Sequence, residues 1–152
     1  MFSSQGTLIY DPHKNGKRII KASDWWIILK TDEGIVDYYK YWIKKQYDVS
    51  FEKTIWGSHI SVNRGSVPPN KGLWNKYAKE RIPFEYTNRV YRVNDIFFCV
   101  DAYSERLEQI RLELGLPAQP NHGFHITIAR LNKIYALEHQ IPNHLKLTCL
   151  LH

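Results

Sequence analysis

Hydrophobic and polar positions follow two different periods along the chain, and these periods predict its helices and strands. Apolar residues spaced three and four apart, with lysines on the remaining surface, predict a helix over Glu33–Tyr47 that Thr31 or Asp32 caps. A second helix is predicted to begin after Ser104. Gly115 is expected to end it, because glycine readily adopts the left-handed conformation that closes many helices.

Short segments of β-branched and aromatic residues, several of them alternating with polar residues, predict the strands. The first segment is short and apolar and is expected at a sheet edge. Asn94 and Asp95 lie between two of the segments and predict the turn of a β-hairpin. The predicted strands are Thr7–Tyr10, Trp25–Leu29, Ser58–Asn63, Glu85–Val93, Asp95–Ala102, Gly123–Arg130 and Leu145–Leu151.

Two segments rich in turn residues and lysine predict loops. Residues 11–18 form the first, and residues 64–83 form the second, which contains two adjacent prolines and a short helical piece over Trp74–Arg81. A loop of that length in a compact domain is often a lid or a binding loop.

The order of these elements predicts the fold class. In each half of the chain a helix precedes a strand of the same kind, which indicates an α+β fold. We expect two pseudo-symmetric lobes, each of antiparallel sheet plus helix, around a central cleft. The length of 152 residues predicts one domain, 1–152.

The composition narrows the class of partner. A net charge of +6 and an aromatic content of 14% favour an anionic ligand such as a nucleotide. Lysine and arginine are spread along the chain, which argues against a duplex-DNA partner. Neither a signal-peptide pattern nor an apolar run of membrane-spanning length occurs, so we expect a cytoplasmic protein that does not bind a membrane. Cys99 and Cys149 lie in apolar runs and are expected to be buried free thiols.

Two segments share one pattern: a histidine, an apolar residue, a hydroxyl residue and a second apolar residue. The segments are His59-Ile60-Ser61-Val62 and His125-Ile126-Thr127-Ile128. Alternate residues of a strand point to one face, so each strand is expected to bury its apolar residues and present an imidazole and a hydroxyl opposite them. One such pair among seven histidines would be unremarkable, but two pairs, each after a predicted helix, favour a functional site.

These residue types suit the cleavage of a phosphodiester. The reaction needs a base for the attacking oxygen and an acid for the leaving oxygen, and imidazole, with a pKa of about 6.5, can serve as either. The hydroxyls of Ser61 and Thr127 can donate hydrogen bonds to the non-bridging phosphate oxygens. No cofactor and no metal are expected, because no cysteine or carboxylate cluster adjoins these histidines. The alternative is a three-histidine metal set of His59, His122 and His125.

The two motifs resemble those of the two-histidine (2H) phosphoesterase superfamily, in which a His-x-Thr/Ser motif lies on a strand of each of two lobes. Ser61 stands where threonine is common. Within the superfamily, the compact length and aromatic content are similar to the bacteriophage anti-CBASS phosphodiesterases. These enzymes destroy the cyclic oligonucleotide signals of bacterial antiphage immunity.

The resemblance implies a substrate and a mechanism. It implies substrates such as cyclic GMP-AMP (cGAMP) and cyclic triadenylate, in the cytoplasm of an infected bacterium. It also implies that a ribose 2′-hydroxyl attacks the neighbouring 3′–5′ phosphate and that the resulting 2′,3′-cyclic phosphate is then resolved. His59 and His125 would be base and acid, in an order left open, and Ser61 and Thr127 would hold the phosphate.

Further substrate contacts are expected from aromatic and cationic side chains. Aromatic rings stack on nucleotide bases and arginines bind phosphate, although plain packing and solvation are the ordinary roles of such residues. The candidates are Trp74, Tyr10 and Trp26 for stacking and Arg64 and Arg130 for phosphate.

Other functions fit the same sequence. One is a 2H activity on RNA ends or on 2′–5′ oligoadenylate. Another is a nucleotide- or RNA-binding module without catalysis, and a third is a structural or assembly role. The preferred cyclic nucleotide and the oligomeric state are left open.

Overall fold

The computed structural model describes residues 1–14, 17–18, 24–54, 56–132, 134 and 141–145. These residues form an α+β fold with an antiparallel main sheet, as the sequence predicts. The described elements are β1 (Phe2–Tyr10), β2 (His13–Lys14), β3 (Lys17–Arg18), β4 (Ile27–Lys30), α1 (Glu33–Tyr47), β5 (His59–Asn63), β6 (Arg81–Tyr86), β7 (Val90–Val93), β8 (Phe97–Tyr103), α2 (Glu105–Glu113), β9 (His125–Arg130) and β10 (His144–Leu145).

Six strands close into a barrel-like ring. The order around the ring is β1, β4, β5, β9, β8 and β6, and β6 pairs again with β1. β7 pairs with the first half of β8 and carries β10 on its other edge. β2 and β3 form a separate two-stranded hairpin within the predicted loop 11–18.

The hydrophobic core lies between the ring and the two helices. α1 packs on β9, and α2 packs on β5 and β6. Tyr39 and Ile43 of α1 and Leu107 and Ile110 of α2 are almost fully buried against one face of the strands. A ring of six strands is too narrow to enclose a helix, so the helices cover its outside and the other strand face lines its inside.

Both helices begin and end where the sequence predicts. The carboxylate of Asp32 accepts a hydrogen bond from the Gly34 N–H (2.8 Å) at the start of α1. The Ser104 hydroxyl accepts one from the Leu107 N–H (3.4 Å) at the start of α2. Gly115, with φ of +82°, follows the end of α2. These ends are encoded locally by capping residues, which explains why the sequence predicts them.

The first strand is longer and more central than predicted. β1 runs from Phe2 and is not an edge strand, because Phe2–Thr7 pair with β6 and Thr7–Tyr10 pair with β4. Its first half is polar, and its extended conformation comes from pairing with β6 rather than from burial of its own side chains. Hydrophobic alternation therefore misses it.

The long loop contains no regular helix over Trp74–Arg81, so that prediction is wrong. Asn75 and Lys79 have φ of +70° and +67°, which interrupts any right-handed helix, and Arg81 already begins β6. A short 3-10 turn occurs earlier, at Lys71–Leu73.

Several strand predictions change in their limits. The single strand predicted over Glu85–Val93 is two strands, β6 and β7. The strand predicted over Trp25–Leu29 is β4, which starts two residues later because Trp25 has φ of +43°. The hairpin turn at Asn94 and Asp95 is confirmed, with φ of +52° and +61°.

The C-terminal strand is only partly described. Leu145 lies in β10, and the rest of the strand predicted over Leu145–Leu151, including Cys149, lies outside the described residues. Cys99 is buried and free, as predicted. No helix in the described ranges has the length and apolar character needed to cross a membrane.

Candidate active site

The four motif side chains lie together on two neighbouring strands. β5 and β9 are antiparallel, and Ile60 stands directly opposite Ile126. In an antiparallel pair, one step forward on one strand is one step back on the other. His59 is therefore opposite Thr127, and Ser61 is opposite His125. The two imidazoles are diagonal neighbours, a relation that places Cα atoms about 7–8 Å apart.

The motif side chains face the inside of the ring. Ile60, Val62, Ile126 and Ile128 have no exposed surface and belong to the core beneath the helices. The four motif residues His59, Ser61, His125 and Thr127 are half-buried on the other face. The ring therefore has an apolar outer face and, along β5 and β9, an inner face of imidazoles and hydroxyls.

Both histidines are held by the same hydrogen bond. The Nδ1 atom of His59 lies 2.7 Å from the Gly57 carbonyl oxygen, and that of His125 lies 3.2 Å from the Gly123 carbonyl oxygen. A carbonyl only accepts, so each Nδ1 carries the proton and donates it. The Nε2 atom of each ring forms no hydrogen bond with the described residues and is able to meet a ligand.

In both motifs a glycine lies two residues before the histidine, and the His-x-hydroxyl pattern alone does not include it. The repeated unit is Gly-x-His-x-Ser/Thr, at Gly57–Ser61 and Gly123–Thr127. Gly123 has φ of +67°, which favours glycine. A Cβ atom at Gly57 would collide with the Glu33 carboxylate.

The segment before His59 is fixed to the start of α1. The Ser58 N–H donates to Glu33 Oε1 (2.8 Å), and the hydroxyls of Ser58 and Thr31 are 2.5 Å apart. The Thr31 N–H donates to the Ser58 carbonyl (3.0 Å). Glu33 and Thr31 are positioning residues that the motif pattern does not reveal, because they precede His59 by more than 25 residues.

The surroundings of His59 favour its neutral form. Burial lowers the pKa of His59 below its usual 6.5, and electrostatic repulsion from Arg64 and His125 lowers it further. The Gly57 carbonyl and the Glu33 carboxylate oppose this shift. At neutral pH the Nε2 atom of His59 thus carries a lone pair that can accept a proton.

Trp26 and Arg64 border the site beside Ser61. The Trp26 indole N–H donates to Ser61 Oγ (3.4 Å), and its ring meets His59 edge-on at 6.0 Å. The guanidinium of Arg64 lies over the Trp26 ring at 4.3 Å. Trp26 has no exposed surface, so a base could stack on it only by displacing Arg64. These contacts favour a positioning role for Trp26, and base stacking on it stays a prediction.

The other motif hydroxyl contacts a thiol. Cys99 is the cross-strand partner of Thr127, and their Sγ and Oγ1 atoms are 3.8 Å apart. Burial raises the pKa of the Cys99 thiol to about 11, so the thiol is neutral at physiological pH. Both motif hydroxyls therefore adjoin neutral groups, which leaves each free to donate its proton to a phosphate oxygen.

Asp101 and Tyr91 extend the inner face beyond His125. Asp101 is the cross-strand partner of His125 and accepts a hydrogen bond from the Tyr91 hydroxyl (2.8 Å). Burial and the Asp101 carboxylate raise the pKa of Tyr91. No sequence motif marks these two residues, because they reach the site only through the pairing of β7, β8 and β9.

Tyr10 and Trp74 lie in a separate aromatic cluster. The rings of Tyr10 and Trp25 contact Trp74 edge-on at 5.1 Å and 4.9 Å. Tyr10 and Leu8 lie on the core side of β1, so the Tyr10 side chain is on the opposite strand face from the imidazoles. Trp74 is half-buried in the long loop. Base stacking by either ring stays a prediction.

Arg130 lies at the far end of β9 from His125. Its guanidinium pairs with the Glu52 carboxylate (3.3 Å) and lies over the Phe97 ring at 5.7 Å. A phosphate bound to Arg130 would compete with Glu52, and this contact also stays a prediction. His122 is exposed, and the described residues contain no group of three metal-binding side chains.

Comparison with known proteins identifies no relative of this chain. No protein-family model, no curated protein and no solved structure matches the chain. The arrangement of the site itself is therefore the basis on which a function is inferred.

Proposed function

We propose that this protein is a metal-independent phosphodiesterase of the two-histidine type that cleaves 3′–5′ bonds in cyclic di- and trinucleotides. The observation that carries the proposal is the pairing of Ile60 with Ile126. That register sets two imidazoles and two hydroxyls on one strand face. The orientation of both rings supports it too, since each histidine donates Nδ1–H to a glycine carbonyl and keeps Nε2 for the substrate.

The reaction uses the two imidazoles as a base and an acid. One Nε2 atom removes the proton from a ribose 2′-hydroxyl, whose oxygen attacks the adjacent phosphorus. The P–O5′ bond breaks, and the second imidazole delivers its Nε2 proton to the leaving oxygen. Ser61 and Thr127 donate hydrogen bonds to the non-bridging oxygens. Water then opens the 2′,3′-cyclic phosphate with the two histidines in exchanged roles.

The order of the roles follows from the surroundings of the rings. Burial and the Arg64 charge keep His59 neutral, so His59 takes the proton of the attacking hydroxyl. His125 then protonates the leaving oxygen. Because Ser61 stands opposite His125 and Thr127 opposite His59, each imidazole has a phosphate-binding hydroxyl directly across from it.

We infer that the two motif strands belong to two related lobes around a central cleft. Each motif strand follows a side-chain-capped helix, α1 before β5 and α2 before β9. The packing is reciprocal, since α1 packs on β9 and α2 on β5. A two-fold axis between Ile60 and Ile126 would produce this relation.

Cyclic oligonucleotides are proposed as substrates because the motifs resemble those of the 2H phosphoesterases. The length and aromatic content of the chain are similar to those of the anti-CBASS phosphodiesterases within that superfamily. The net charge of +6 suits a polyanionic substrate. We place the activity in the cytoplasm of an infected bacterium, where degradation of such signals would counter CBASS defence.

The test is product identification by mass spectrometry. The protein is incubated in EDTA with cGAMP, cyclic triadenylate, 2′–5′ oligoadenylate and RNA carrying a 2′,3′-cyclic phosphate end. We expect linear products from the cyclic substrates. His59→Ala and His125→Ala should each lower the rate by about 10²–10⁴-fold. His122→Ala is the matched control and should retain full activity.

Each other result identifies a different function. Loss of activity in EDTA together with loss in His122→Ala would support a metal site. Turnover of only the linear substrates would move the enzyme to RNA ends or 2′–5′ oligoadenylate. Retention of cyclic nucleotides without any product would make the protein a binding module and would refute the catalytic proposal.

A further inference from the structure

A row of directly opposed side chains crosses the inner face of the ring from the histidines to two cations, Lys30 and Arg81. Lys30 of β4 is the cross-strand partner of His59, and Thr7 of β1 is the partner of Lys30. Thr7 is in turn the partner of Arg81 in β6. Cross-strand partners share a face, so Lys30, Thr7 and Arg81 extend the inner face on which His59 lies.

The same residues line a pocket of about 590 Å³. The pocket forms where β4 ends at Lys30 while β1 continues toward its N-terminus, so that none of the described strands pairs with this edge of β1. Gly6 permits the close approach of the two strands here, since a Cβ atom at this position would lie 2.6 Å from Leu29 Cγ. A volume of this size is typical of sites for small ligands.

The pocket presents donors for an anion. Its cations, Lys30 and Arg81, are exposed, and neither forms an ion pair with a carboxylate in the described ranges. Arg81 Nη1 donates to the Thr7 hydroxyl (2.9 Å), which holds the guanidinium over the row. The carboxylate in the lining, Asp32, is engaged as the cap of α1. Two cations and one carboxylate leave a net positive charge.

The position of the pocket suggests which anion it takes. Neighbouring strands are about 4.8 Å apart, so Lys30 is one strand spacing from His59 and Arg81 is three. The scissile phosphate lies on the opposite side of His59, between the histidines and the motif hydroxyls. An anion between Lys30 and Arg81 is therefore a separate group of the same substrate.

We propose that the pocket between Lys30, Thr7 and Arg81 binds a second phosphate of the substrate, next to the one that is cleaved. This inference rests on the proposed function of the histidine site. It makes the protein selective for nucleotides with at least two phosphodiesters, such as cyclic di- and trinucleotides, over nucleotides with one. Charge-assisted hydrogen bonds from a guanidinium and an ammonium supply the selectivity.

The experiment compares a cyclic dinucleotide with a dinucleoside monophosphate, which has a single phosphodiester. Lys30→Gln and Arg81→Gln are assayed against Lys53→Gln and Arg89→Gln, which also remove one exposed charge each but lie outside the row. We expect each pocket variant to lower kcat/KM for the cyclic dinucleotide about tenfold, mainly through KM. Its kcat/KM for the monophosphate should change less than about twofold.

The dependence on salt gives a second readout that a merely structural role would not move. The affinity of a contact between a cation and a phosphate falls as the salt concentration rises. Each pocket variant should make the affinity for the cyclic dinucleotide less dependent on salt, and the controls should leave this dependence unchanged.

Two results would overturn the second-phosphate site. One is an equal loss on both substrates, and the other is a loss no larger than that of the control variants. If the wild-type protein turns over neither substrate, the proposed function fails instead. Titration calorimetry with the same five proteins then measures the dissociation constants of the same two ligands. The second-phosphate site is supported if the pocket variants weaken binding of the cyclic dinucleotide about tenfold and binding of the monophosphate less than about twofold. Equal losses on both ligands would overturn it.

Discussion

The backbone N–H of Ser58 donates to the carboxylate of Glu33 at 2.8 Å, and this bond connects the first turn of α1 to the residue before His59. The Gly57 carbonyl that holds the imidazole belongs to the same peptide group as this N–H. The orientation of a ring in the site thus depends on a helix that begins 26 residues earlier. A small rotation of that peptide would turn Nε2 away from the substrate.

Replacement of Glu33 therefore tests how the ring is positioned. Glu33→Ala removes the acceptor, and we expect unfolding free energy to fall by about 1 kcal/mol and kcat to fall about tenfold. Glu33→Gln keeps an oxygen acceptor and should recover most of kcat. If both variants lose kcat equally, the charge rather than the hydrogen bond is what matters. Chemical denaturation and steady-state kinetics provide the two measurements.

The motif hydroxyls have a separate prediction. Ser61→Ala and Thr127→Val each remove one donor to the phosphate, and we expect kcat to fall by about 10²-fold. Ser61→Ala also leaves the Trp26 indole N–H without this acceptor and should lower the unfolding free energy by about 1 kcal/mol, whereas Thr127→Val should change stability little. Thr127→Ser keeps the hydroxyl and should retain most of the activity. Ser50→Ala, an exposed serine outside the site, is the control. Full activity in Thr127→Val would remove this hydroxyl from the mechanism.

The pH dependence follows from the lowered pKa of His59. As the base, His59 must be neutral, so log kcat/KM should fall on acidification with a pKa below 6.5. Arg64→Gln removes a positive charge that depresses this pKa, and the acid limb should move to higher pH. The pH–rate profile and NMR titration of the imidazole should agree. An unchanged limb in Arg64→Gln would contradict the assignment of His59 as base.

The same group links stability to pH. The folded protein holds His59 with a pKa below that of the unfolded chain, so the unfolded chain binds more protons in the window just below pH 6.5. Unfolding free energy should therefore decrease as pH falls through this window, down to the folded pKa. His59→Asn should show a flatter dependence there. Denaturation at a series of pH values with both proteins measures the difference.

Arg111 is a buried cation whose loss should destabilise the fold. Its guanidinium donates to the carbonyls of Val62 and Pro117, each at 2.7 Å, and burial lowers its pKa. Arg111→Met removes both hydrogen bonds, and we expect a loss of about 2–4 kcal/mol in unfolding free energy. Arg106→Met breaks the half-exposed ion pair with Glu80 and the contact of the guanidinium with the Tyr77 ring (4.3 Å), and it should lose about 1 kcal/mol. Equal losses would contradict this account.

Features that depend on neighbouring residues could be predicted from the sequence. The limits of α1 and the cap of α2 follow from Asp32 and Ser104, whose side chains bond to backbone two or three residues away. The two His-x-hydroxyl patterns follow from the two-residue period of a strand. The helix predicted over Trp74–Arg81 failed because the left-handed residues Asn75 and Lys79 interrupt it.

The chain by itself determined which residues form the candidate site: two imidazoles and two hydroxyls, each pair on one side of its own strand. Only the tertiary structure decided that the two strands are neighbours, that Ile60 meets Ile126, and that Lys30 and Arg81 share the inner face. The reason is physical. Side-chain direction along a strand is set by local backbone geometry, whereas the choice of partner strand and its register comes from the closing of the whole ring around one core.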